Sequence, residues 1–296
     1  MSETVKNIFS NLTGPFSSSS EVATTDPGFL NSNGLIAKIV FLILVIVIFI
    51  VVFYSILYLM AYFTTPSENP YIIKGEIDGS SPYTVPQNPA LNESKVIQRS
   101  NNESSGLEFT WSVWLKISST ATSDIGKRYP IFIKGDGMPQ TPLSGTPAYK
   151  SINHGPGVYV FMDASNAAAI EVLMDTIDKG AIGSGGEIIK IKNLPINQYF
   201  HLAVRCKGYN IHIYINGNII INESMSNVPK QNYYDILVCP SGGFKGKLSN
   251  LRYFSKALSV VELNSIYRNG PNTTPVNNVS SNSYSSISTQ WFASFA

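Results

Sequence analysis

Residues 210–222, NIHIYINGNIIIN, decide the fold. Asn216 and Gly217 stand between two isoleucine-rich runs, and both residue types tolerate positive φ. A two-residue type I′ turn requires positive φ at both central positions, and it joins two antiparallel strands. Ile211, Ile213 and Ile215 alternate along the first run, which leaves His212 outside the apolar set. The stretch therefore predicts a β-hairpin. A lone hairpin is marginal in water, so further strands must surround it.

The strongest of these is 108–117, EFTWSVWLKI. Phe109, Trp111, Val113, Leu115 and Ile117 alternate there with Thr110, Ser112, Trp114 and Lys116, the period of two expected of a strand. Residues 130–134, 157–163, 168–175, 187–192, 199–207, 234–239 and 247–255 have the same character. Short strands punctuated by turn signals every eight to twelve residues or so predict a mainly β fold, an antiparallel jelly-roll sandwich. One helix interrupts the pattern. Ser259-Val260-Val261-Glu262 forms a capping box, Leu263, Ile266 and Tyr267 supply an apolar stripe, and Gly270-Pro271 closes it.

Upstream, residues 35–63 predict a single transmembrane helix. Its core, 39–63, contains no charge, no Pro and no Gly, and it is too apolar for one face of a soluble helix. At about 1.5 Å per residue it covers roughly 37 Å, enough to cross a hydrocarbon layer of about 30 Å. Tyr54, Tyr58 and Tyr62 recur towards one end, where amphipathic rings suit a headgroup interface and plain lipid-facing bulk accounts for them equally. Before the span, residues 1–34 read as a flexible Ser/Thr/Gly/Asn-rich tail without the basic start of a cleaved signal. Residues 64–91 carry Pro66, Pro70, Pro82, Pro86 and Pro89 and read as an extended spacer, in which Tyr71-Ile72-Ile73 could add a short strand. The sandwich is assigned to 92–271, and 272–296 to a Ser/Asn-rich tail that ends in Trp291, Phe292 and Phe295. Lys38 and Lys74 flank the span equally, which leaves orientation open. Glycosylation triplets begin at Asn92, Asn102, Asn222, Asn272 and Asn278 after the span and at Asn11 before it.

The net charge is +2 with 14% charged residues, and no Lys/Arg run could follow a phosphate backbone, so no nucleic-acid partner is expected. The two cysteines, Cys206 and Cys239, do not space as a zinc site. They could form one disulfide in an oxidising compartment or stay as buried thiols. His154 is the one histidine in a loop suited to function, Asn153-His154-Gly155-Pro156.

Several motifs then act together: Phe200-His201-Leu202, Tyr214-Ile215-Asn216-Gly217, Gly242-Gly243-Phe244, Leu251-Arg252-Tyr253-Phe254 and the run from Ala257 to Leu263. They resemble a laminin G-like, concanavalin A-like lectin domain, over roughly 92–271. The phrases PYIIKGEIDG, IQRSNNESSGLEFTWSVW, VPKQNYYD and GGFKGKLSNLRYFSKALS are similar to the subset of such domains in large DNA viruses of algae and protists. The resemblance implies a packed, structural His201. It also implies a search for the Glu-x-Asp-x-Glu strand of glucanases on this fold. The nearest approach, Glu76-Ile77-Asp78, falls in the Pro-rich segment, so no catalytic residue is assigned and no enzyme is expected. Family members often bind calcium, for which Asp136 and Asp163 are weak candidates, and no cofactor is otherwise implied. A glycan would want an exposed aromatic beside amides, at Tyr149, Tyr159 or Tyr233-Tyr234.

Together these features predict a membrane-anchored, non-enzymatic binding or structural protein. The resemblance implies a minor capsid or membrane-linking virion component, with lipid and capsid proteins as partners. A lectin-like surface protein that binds glycans is the alternative, and an anchored glycosidase a remote third.

Overall fold

The computed structural model describes residues 35–64, 67–91, 93–100, 106–118, 125–139, 141, 148–165, 167–177 and 186–276. The expected tail 1–34 and, of the expected tail 272–296, residues 277–296 with the closing aromatics lie outside the described residues, as do Asn11, Asn92, Asn102 and Asn278. The chain divides into two compact units, Met1–Thr65 and Pro66–Ala296.

In the first unit, helix α1 (Leu35–Thr64) is one uninterrupted rod. It contains the only stretch among the described residues long and apolar enough to cross a membrane, Lys38–Phe63, and none of that stretch is buried by protein. Its one serine, Ser55, donates to the carbonyl of Val51 at 2.7 Å. That internal bond satisfies a polar group that lipid could not.

The second unit is built from β1 (Glu76–Asp78), β2 (Tyr83–Val85), β3 (Glu108–Ile117), β4 (Tyr129–Lys134), β5 (Gly157–Met162), β6 (Ala168–Met174), β7 (Glu187–Leu194), β8 (Tyr199–Lys207), β9 (Asn210–Ile215), β10 (Asn218–Ser224), β11 (Ile236–Val238), β12 (Gly246–Phe254) and helix α2 (Val260–Arg268). These strands form two six-stranded sheets, in the orders β1-β12-β3-β8-β9-β10 and β2-β11-β4-β5-β6-β7. All pairings within them are antiparallel. The deciding hairpin is β9–β10, and its turn has φ of 52° at Asn216 and 79° at Gly217, as a type I′ turn requires.

The core lies between the sheets. β3 sends Phe109, Trp111, Val113, Leu115 and Ile117 into it, the set its alternation marks as apolar. Its opposite face is buried too. Trp114 stacks on Tyr267 of α2 with ring centroids 5.7 Å apart, and Thr110 bonds both Lys256 and Leu258 on the approach to that helix. Helix α2 packs Leu263 and Ile266 against Ala203, Tyr214 and Phe254 on the outside of the first sheet. Its capping box is complete: Ser259 accepts from the Glu262 N–H, and the Glu262 carboxylate accepts from the Ser259 N–H.

The Pro-rich segment 64–91 does more than separate the two units. Tyr71 bridges Arg252, the N–H groups of Ile72 and Ile73 reach Leu251 O, and β1 and β2 are the first strands of the two sheets. Both are edge strands, where prolines beside the ladder remove no hydrogen bond the sheet needs. Ile72, Ile73, Ile77 and Val85 enter the core. At the other end, Val276 N–H donates to Glu76 O at 2.9 Å, so strand pairing extends on both sides of the expected 92–271.

Candidate functional site

The loop between β10 and β11, which carries VPKQNYYD, is pinned at one end of the sandwich by its backbone. Ile177 N–H donates to Val228 O at 3.0 Å, and Lys230 N–H to Asp175 O at 2.8 Å. Asn232 Nδ2 donates to Lys134 O at 2.9 Å while its Oδ1 accepts from the Tyr234 N–H at 3.2 Å. Lys134 Nζ donates to the Tyr234 carbonyl. The side chains of Tyr233 and Tyr234 are left outside, with Tyr233 89% exposed. An open trough of about 580 Å³ runs here, lined by Asn153, Asp175, Lys230, Gln231, Asn232, Tyr233 and Tyr234. Beneath the same loop a cavity of about 440 Å³ opens between the sheets, with Leu107, Phe109, Trp111 and Tyr253 on its apolar side and Lys134 beside them.

The other aromatic candidates are not available to a ligand. Tyr149 is 3% and Tyr159 0% exposed, and their rings pack edge to face 5.1 Å apart on the outside of the second sheet. The reason is a polar cluster at that face. Glu171, a lone acid inside the apolar run of β6, accepts from Arg128 Nε at 2.9 Å, from Arg128 Nη2 at 2.7 Å and from Tyr149 OH at 3.1 Å. Lys190 lies 3.2 Å away. Burial alone would raise the Glu171 pKa, but the Arg128 and Lys190 charges hold it below the ordinary carboxylate value.

His154 belongs to this packed face rather than to an open loop. It is fully buried, its N–H donates to Asp175 Oδ2 at 2.8 Å, and its Nε2 lies 2.9 Å from Tyr159 OH. Burial pushes its pKa down to about 4, so the ring is neutral at physiological pH. His201 is packed as expected, with Nε2 2.8 Å from Ser112 Oγ and its pKa likewise pushed by burial to about 4. His212 is half-buried beside Arg205, 3.4 Å from its guanidinium, and its pKa is lowered by burial and by that charge.

Glu76 and Asp78 lie on β1, within the sandwich rather than ahead of it. Ile77 between them points into the core, so the two carboxylates share the outer face of an edge strand. Glu76 pairs with Lys247 at 2.6 Å and accepts from Tyr199 OH, and Asp78 accepts from Ser80. For Glu76 burial opposes ionisation, yet the Lys247 and Tyr199 bonds prevail; for Asp78 the Ser80 bonds dominate. Both pKa values are lowered, whereas glycoside hydrolysis needs one carboxyl kept protonated.

The calcium candidates are engaged by their own loops. Asp136 accepts from Ser151 Oγ at 2.6 Å, Asn153 Nδ2 at 2.6 Å and Ile152 N–H at 3.1 Å. Asp163 accepts from Ser165 and Ala167 N–H groups, both at 2.9 Å. Among the described residues no three His, Cys, Asp or Glu side chains converge as metal ligands. Cys206 and Cys239 are separate, buried thiols, each 3.6 Å from a backbone carbonyl: Gly208 O for Cys206 and Ile131 O for Cys239. Burial pushes both pKa values up to about 12.

A family model described as the concanavalin A-like lectin/glucanases superfamily matches residues 91–264. The chain belongs to that superfamily. No curated protein matches it. Among solved structures, the receptor binding domain of botulinum neurotoxin C/D mosaic serotype is 16% identical at a TM-score of 0.39, over 55% of this chain and 36% of that one. The binding domain of botulinum neurotoxin DC in complex with SialylT is 18% identical at 0.38, over 55% and 35%. The botulinum neurotoxin serotype G binding domain is 16% identical at 0.41, over 65% and 46%. The chain thus spans less than half the length of each of these domains. In the superfamily's terms, the match begins after β1 and β2, so the strands from the Pro-rich segment are an addition to the part the family model covers.

Proposed function

We propose that the chain is a single-pass membrane protein whose sandwich is a non-catalytic, lectin-like module that binds a saccharide in the Lys230–Tyr234 trough. The observation that carries the reading is the Tyr233-Tyr234 pair, held outside the fold by a loop pinned through Lys230 and Asn232 and bordered by amides and the Lys230 ammonium. An aromatic ring covers the apolar face of a sugar while N–H donors meet its hydroxyls, and a pinned loop loses little entropy when the ligand arrives. Apolar α1 supports the anchor, since a fully exposed rod of that composition has no place in water. The low pKa of both Glu76 and Asp78 supports a binding rather than a hydrolytic role.

The test uses the full chain in lipid nanodiscs on a glycan array. Retention of a defined group of saccharides is expected, and silence across the array overturns the saccharide reading. For the anchor, the chain should stay with the membrane fraction after alkaline carbonate extraction; release into the supernatant refutes it.

A second reading is a virion component that links a membrane to a capsid shell. It is favoured by VPKQNYYD, which resembles wording in domains of large DNA viruses and forms the part of the loop that carries the exposed Tyr233 and Tyr234. Mass spectrometry of purified particles that never detects the chain would remove it.

A further inference from the structure

Lys134 occupies a position that the strand's alternation reserves for an apolar side chain. Phe132, two residues earlier on β4, points into the core and stacks on Trp111 with ring centroids 5.2 Å apart. Lys134 therefore projects from the same, inward face, at the end of the strand, and only 3% of it is exposed. An ammonium has three N–H donors. Among the described residues one of them is accounted for, by the Tyr234 carbonyl. Leaving buried donors unmet is costly, and leaving a buried cation without a counter-charge more so. Asp235 favours the charged form from nearby, yet its Oδ1 is occupied by the Gln87 N–H at 2.9 Å, and burial still pushes the lysine pKa down to about 8.

That lysine lines the 440 Å³ cavity, which has an apolar side of Leu107, Phe109, Trp111, Ile177 and Tyr253 and a polar side that includes Gln87, Gln98, Lys230, Gln231 and Asn232. Ligand pockets for small molecules have volumes of roughly 300–1,000 Å³, an apolar lining and a few placed polar groups. Arg99 at the rim and Lys230 add two further cations. We infer that this cavity is a binding site for a small organic acid, with the acid's apolar body against Phe109 and Trp111 and its carboxylate on the Lys134 ammonium. The cavity shares Lys230, Gln231, Asn232 and Tyr233 with the trough of the saccharide reading, whereas Lys134, Phe109 and Trp111 line the cavity alone. A carboxylate supplies further hydrogen-bond acceptors and adds to the negative charge that Asp235 alone provides. A neutral molecule of the same shape supplies only the apolar contact.

The full chain in zwitterionic nanodiscs would be titrated calorimetrically with 3-phenylpropionate and with neutral 3-phenylpropan-1-ol, and heats for empty nanodiscs subtracted. The acid should bind about tenfold or more tightly than the alcohol, as a charge-assisted bond in a dry site allows. At pH 8 its binding should take up protons, read as a dependence of the heat on the buffer's ionisation enthalpy. Lys134→Met keeps the volume of the side chain; it should bind the alcohol as the wild type does and lose the preference for the acid. Equal affinity for acid and alcohol, no binding of either, or an acid preference that survives Lys134→Met would each overturn the inference. The proton uptake is read on the unmodified chain and so does not depend on how the variant folds.

Discussion

Removing Arg128 tests the polar cluster on the second sheet in a way that yields both a magnitude and a pH signature. Its guanidinium grips Glu171 through two hydrogen bonds and lies 4.3 Å from the Phe161 ring centroid. The two side chains are 12% and 0% exposed. Arg128→Met leaves the Glu171 carboxylate buried with Tyr149 OH and with Lys190, which is half-exposed. Breaking a buried pair from one side costs about 3–5 kcal/mol, and Lys190 places the cost near the low end, about 3 kcal/mol. For a domain of 150–250 residues that corresponds to a fall in Tm of roughly 6–12 °C. In the wild type the Glu171 pKa is lowered from 4.5, so its contribution is present above 4.5 and is lost as pH falls through the lowered value. In the variant, burial dominates and raises the pKa, so stability is fullest below 4.5 and falls as pH rises. The gap between the two proteins should therefore narrow as pH falls from 7 towards 4. Thermal unfolding followed by near-UV circular dichroism would measure it. Adding Glu171→Gln to Arg128→Met should recover much of the loss at pH 7, because the uncompensated charge is gone. A loss below about 1 kcal/mol at pH 7, or a gap of equal size at pH 7 and pH 4, would refute the argument.

The thiols and the cap give two further expectations. Cys206 and Cys239, buried with pKa values near 12, should resist iodoacetamide in the native chain at pH 7 and both react after unfolding; native labelling, or an unfolded mass that shows a bridge, contradicts this. Ser259→Ala removes one side of the capping box and should cost about 1 kcal/mol of stability, visible as a shift in Tm of a few degrees. No shift would mean that contacts such as Trp114 on Tyr267 hold α2 without its cap.

Much of the fold was legible because its signals are local. The Asn216-Gly217 turn, the alternation of 108–117 and the Ser259–Glu262 box are fixed by neighbours in the chain, and all three are present in the structure. What escaped was long-range. Prolines at 66–89 argued for a spacer; the short strand that Tyr71-Ile72-Ile73 suggested is present as a bridge to Arg252, but Glu76 and Tyr83 pair with strands more than 100 residues away, which no local pattern announces. Tyr149, Tyr159 and Tyr233 look alike in sequence, and burial alone separates the packed rings from the exposed one. Glu171 and Lys134 could have been found: each is a lone charge in an otherwise apolar strand, AAIEVLM and YPIFIK. The trough residues carried a weaker hint, the amide-rich VPKQNYYD, whose meaning depends on backbone bonds to 134 and 175.

The account rests most heavily on the Tyr233–Tyr234 loop as the binding surface. The direct test compares the wild-type chain with the double variant Tyr233→Ala, Tyr234→Ala in nanodiscs against the saccharides that the wild type retains. Both side chains are exposed, so Tm should stay within about 1 °C, while affinity should fall at least tenfold. Binding by the double variant at wild-type strength would contradict the account.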